Sequence, residues 1–84
     1  MRDAAYGWAG DGIDRKAFIA VNTILEASLG SIDTFEVDRP CDRRVHRIRF
    51  TGTKAAMTME IDDDRMVTAS SPWQAVLTAL NEHA

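Results

Sequence analysis

Apolar side chains fall at Ala17, Phe18, Val21, Ile24, Leu25 and Leu29, with polar residues between them. That recurrence at i, i+3, i+4 and i+7 predicts an amphipathic helix beginning at Arg15. Asp14 stands at the N-cap, where a carboxylate accepts from first-turn N–H groups that have no helical partner. Gly30 is the predicted stop, because glycine accepts the left-handed backbone that follows a helix. The period then falls to two. Ile32, Phe35 and Val37 mark a first strand, ended by DRPCDRR (Asp38 to Arg44), where proline cannot donate to a ladder and the charges favour water. In VHRIRFT, His46, Ile48 and Phe50 share one face, and Val45, Arg47, Arg49 and Thr51 share the other. Gly52 to Lys54 turns the chain. Ala55 to Ile61 alternates again, with Met57, Met59 and Ile61 together. Asp62, Asp63 and Asp64 predict a tight acidic turn, and Arg65 to Ala69 a short fourth strand. Ser71-Pro72 is a helix start: serine caps, and proline at the first position loses no needed hydrogen bond. Trp73, Val76, Leu77 and Leu80 then recur at helical spacing toward Ala84.

The predicted fold class is α+β: a helix, a three- to four-stranded antiparallel sheet and a second helix, with both helices on one sheet face. Residues 1–12 hold Gly7, Gly10 and Gly12 and no usable period, and are read as an N-terminal loop. Residues 13–84 are read as one domain. A domain of this size buries a modest share of its surface, and pairing with a second copy would stabilise it.

The composition, 45% hydrophobic and 27% charged, is that of a folded chain and not a disordered one. The formal net charge of -3 weighs against a dedicated nucleic-acid binder, whose footprint is basic. The single cysteine, Cys41, cannot close an internal disulfide, which fits a reducing compartment. No run approaches the roughly 18 apolar residues that cross a membrane. The N-terminus lacks the apolar core of a signal peptide. Together these predict a cytoplasmic chain.

Candidate chemistry is sparse. Three adjacent aspartates in a turn cannot all point at one cation, so Asp62 to Asp64 read as a solvated turn, with no metal expected. Arg39, Arg43, Arg44, Arg47 and Arg49 form the one basic cluster; Arg47 and Arg49 share a strand face and pair with nearby acids or meet carboxylate or phosphate groups. His46 reads as a part-buried sheet histidine. His83 sits at a helix end, where the dipole favours a cation. Cys41 lies between arginines that would favour its thiolate, and reads as a surface thiol. Met57, Met59, Met66, Tyr6, Trp8 and Trp73 supply core or interface area. No nucleophile–base grouping and no cofactor motif is readable, so no catalytic residue and no cofactor are expected.

Taken in order, Gly10-Asp11-Gly12, the amphipathic helix, the strands, the acidic turn at Asp62 to Asp64, Val67-Thr68-Ala69-Ser70 and a closing helix ending Ala79-Leu80-Asn81 resemble one known family. The chain is similar, over about residues 9–82, to the C-terminal regulatory domain of 2-isopropylmalate synthase and citramalate synthase. That resemblance implies a dimer, a branched-chain amino acid bound at its interface, and control of a catalytic synthase chain. It also implies that Gly10, Asp11 and Gly12 lie near the effector, and glycines there would let backbone N–H groups approach a carboxylate. The sequence therefore points to a non-catalytic regulatory and dimerisation module and leaves two other readings open: a small protein-binding module or inhibitor using an open sheet face, and an RNA-binding module of α-β-β-β-α order.

Overall fold

The computed structural model describes residues 14–82. Helix α1 spans Arg15–Leu29 and strands β1, β2 and β3 span Ile32–Asp38, Val45–Gly52 and Ala56–Asp62; a short helix α2, Asp63–Thr68, leads to α3, Pro72–Glu82. The strands form one antiparallel sheet in the order β1-β2-β3. Chain order and spatial order coincide because each connection is a short turn or loop.

Alternation along the strands sorts the sheet into two faces. Phe35 pairs with Phe50 and Val37 with Ile48; across the next ladder Ile48 meets Met59, Phe50 meets Met57 and His46 meets Ile61. These face the helices. Val37, Ile48, Phe50 and Ile61 are buried together with Ala17, Val21, Leu25 and Leu29 of α1 and Trp73, Ala75, Val76 and Ala79 of α3. Phe18, Leu80, Met57, Met59 and Met66 pack against that core from its margin. Both long helices thus lie on one face, as the pattern predicts, and Met57, Met59, Met66 and Trp73 serve the interior.

The helix ends follow the predicted chemistry. Asp14 Oδ1 accepts from Ala17 N–H at 3.1 Å, and Asp14 Oδ2 accepts from Ser71 Oγ at 2.8 Å. Ser71 Oγ accepts in turn from Gln74 N–H at 3.0 Å. One hydrogen-bonded chain therefore caps α1 and α3 and ties their starts together. Gly30 ends α1 at φ 80 and ψ -166, a conformation essentially reserved for glycine. Next to it the β2–β3 turn docks on the helix: Lys54 N–H donates to Leu29 O at 2.8 Å and Thr53 N–H to Ser31 O at 2.9 Å. A Cβ on Gly30 would run into Thr53 Oγ1, and one on Gly52 into Leu29 O.

One expectation changes. The stretch read as a fourth strand, Arg65 to Ala69, falls within and just after helix α2, and the acidic turn at Asp62 to Asp64 opens that helix. Asp63 and Asp64 occupy its first turn, where carboxylates meet the positive end of the helix dipole, and Arg65 its last. Thr68 Oγ1 donates to Asp64 O at 3.0 Å, closing the turn. Alternation also breaks once in β1. The register shifts between Ile32 and Thr34, so Ile32 packs against the core while Asp33 is exposed.

Candidate functional site: the open sheet face

The face of the sheet away from the helices is uncovered among the described residues. Its central strand projects Arg47 and Arg49. The ladders set Arg49 between Glu36 and Thr58, and Arg47 between Asp38 and Glu60. Because β2 is paired on both sides, these side chains stand on the stiffest part of the sheet. Glu36, Asp38, Arg47, Arg49 and Thr58 line a shallow hollow of about 400 Å3.

The two rows differ. Arg47 is locked: its Nε donates to Asp38 Oδ1 at 3.1 Å and its Nη2 to Asp38 Oδ2 at 3.0 Å, a two-pronged bond between planar groups. This hydrogen bonding holds the Asp38 carboxyl below its ordinary value and raises that of Arg47. Beside it Arg43 reaches Glu60 at 2.8 Å. In the other row neither Glu36 nor Arg49 makes an ion pair or a side-chain hydrogen bond among the described residues, and both are exposed. The face therefore offers one unspent cation and one unspent anion side by side.

Comparison with known protein families, with curated proteins and with solved structures found no match. The site thus stands on its own geometry.

The end of the sheet carries a second set of charges. Asp63 is paired with Arg39, and its Oδ1 lies 3.0 Å from His46 Nδ1. Both atoms are shut off from water and the approach is not an aligned hydrogen bond, so we read it as a close polar contact only. Asp63 N–H also donates to Arg44 O at 3.0 Å. His46, with 17% of its side chain exposed, is the part-buried sheet histidine the alternation predicts. The aspartate run does not converge: Asp63 turns to Arg39 and His46, while Asp62 and Asp64 are exposed. Among the described residues no group of three or more His, Cys, Asp and Glu side chains could hold a metal ion. Cys41 is exposed in the β1–β2 loop.

Gly10, Asp11 and Gly12, the residues the resemblance puts near an effector, lie outside the described residues, as do Tyr6, Trp8 and His83. The signal for the open face was present in the alternation of VHRIRFT. What the sequence could not give was the register, and the register decides that Asp38 takes Arg47 and leaves Arg49 beside Glu36. No described helix is long and apolar enough to cross a membrane.

Proposed function

We propose that this chain is a non-catalytic regulatory module that acts by self-association, its open sheet face meeting the same face of a second copy. The Glu36–Arg49 row carries the proposal: directly opposed in the ladder, both exposed, neither bonded. A copy related by a two-fold axis sets Arg49 of each chain against Glu36 of the other, so one pair of residues supplies two identical contacts. Arg47, fixed by Asp38, keeps its charge satisfied within the chain and does not compete.

The size of the face sets the strength. Three strands about 4.8 Å apart and about 23 Å long offer a few hundred Å2 per copy, the scale of a weak, reversible contact. Such a contact is specific through its charges and is weakened by salt. A weak dimer also suits regulation, since a ligand that binds only the dimer shifts the balance by mass action. The effector the resemblance implies is a branched-chain amino acid held near Gly10, Asp11 and Gly12, and the controlled partner a synthase chain.

Two measurements test this. Sedimentation equilibrium at about 50 mM salt detects dimer that disappears near 0.5 M; a monomer at every salt and protein concentration contradicts the self-association. A thermal scan in millimolar leucine, isoleucine or valine raises the melting temperature; no shift with any of the three removes the effector and leaves the dimer standing.

A second reading, RNA binding, is disfavoured by the same geometry. Three of the five clustered arginines, Arg39, Arg43 and Arg47, are spent on Asp63, Glu60 and Asp38, so among the described residues only Arg44 and Arg49 of the cluster are left to meet phosphates.

A further inference from the structure

A second surface lies on the helical side of the sheet, where α1 stands off from β1. The groove between them has a volume of about 430 Å3. Its floor is aromatic. Phe18 and Phe35 meet the Trp73 ring edge-on at 4.9 and 5.1 Å between centroids, with Phe50 behind at 6.3 Å. Its rim is acidic: Glu26 of α1 and Asp33 of β1, both exposed and neither bonded among the described residues. The shift of register that turns Ile32 inward is what leaves Asp33 on this rim.

We propose that this groove binds an extended cationic peptide, which adds to the sheet along the outer edge of β1. β1 is an edge strand, so alternate backbone N–H and C=O groups on its outer side have no ladder partner among the described residues. An added strand satisfies them, and one apolar side chain of that strand enters the aromatic groove. Charge selects the occupant. The charged residues of the groove's lining, Glu26 and Asp33, are both acids. A second copy of β1 laid on this edge would add further acids and no cation to meet them, since the strand holds no basic residue, which opposes self-pairing here. A strand with lysine or arginine flanking an apolar residue meets Glu26 and Asp33 instead. This surface is separate from the open face and does not depend on it.

The test uses a fluorescently labelled, end-capped peptide, Lys-Val-Lys-Phe-Lys-Val, titrated into the full chain and followed by anisotropy. Saturable binding in the micromolar range is expected, with amide NMR shifts centred on β1 (Ile32–Asp38). The E26K/D33K variant should weaken binding about tenfold or more, corresponding to about 1.4 kcal/mol or more. Both positions are exposed, and an unchanged far-UV CD spectrum verifies the fold. Replacing the peptide's phenylalanine with proline removes both the anchor and a backbone donor and should abolish binding. The proposal is overturned if Glu-Val-Glu-Phe-Glu-Val binds as well, if E26K/D33K binds unchanged, or if the shifts fall on Arg47 and Arg49. It is equally overturned if nothing binds up to about 1 mM, or if sedimentation shows that E26K/D33K abolishes a dimer, which would make a second copy the occupant.

Discussion

Ser71 holds two helices with one hydroxyl. Its oxygen accepts from Gln74 N–H while its proton goes to Asp14, which caps α1. Ser71→Ala removes the α3 cap and one of the two Asp14 contacts. We expect a loss of about 1 kcal/mol, read as a fall of several degrees in melting temperature for a domain of this size. The same carboxylate gives the fold an acid limb. Hydrogen bonds from Ser71 and Ala17 hold the Asp14 carboxyl below its ordinary 3.8, and those from Arg47 do the same for Asp38. A carboxyl depressed in the folded state contributes stability above its ordinary value and loses it as pH falls through the folded value. Melting temperature should therefore drop as the pH is taken below about 4, and D14N/D38N should flatten that drop. A double variant as acid-sensitive as the parent would contradict the assignment. Gly30 is the other decisive residue. Gly30→Ala meets both a glycine-only backbone and Thr53 Oγ1, so it should destabilise markedly where most helix-end alanines are mild.

At the scale of elements, α2 is the one the sequence concealed. It is six residues long with none buried, and Val67 is 83% exposed. It is held from its ends: Asp63 by Arg39 and the β2 end, and Arg65 by Glu82 at the close of α3. With so little buried, α2 should be the first helix to open, and amide exchange should be faster at residues 65–68 than in α1 or α3. Asp63→Ala should speed that exchange while the α1 and α3 amides keep their protection. α1, α3 and the three strands were legible because each buries one continuous stripe or face, and burial is what periodicity encodes. For α2 no buried stripe exists to encode. Met-Val-Thr-Ala reads as strand by propensity, and the contacts that override it are ion pairs from residues distant in sequence. The bulge at Asp33 did leave a trace, the three-residue step from Ile32 to Phe35 where a regular strand would step by two.

The whole molecule is a two-layer sandwich with its third layer absent among the described residues. Its helices cover one face of the sheet, and the other keeps a locked row and an unspent row. The residue types on that face could be read from the sequence, but the choice of which arginine is spent could not. In the proposed dimer, Arg49 and Glu36 of two copies meet across this face. Sedimentation of R49E, E36R and their equimolar mixture tests it most directly. Each variant alone should be monomeric at low salt, since its like charges would oppose each other, and the mixture should recover a heterodimer with both opposite-charge contacts restored. A mixture that stays monomeric while the parent dimerises, or single variants that dimerise as well as the parent, would contradict it.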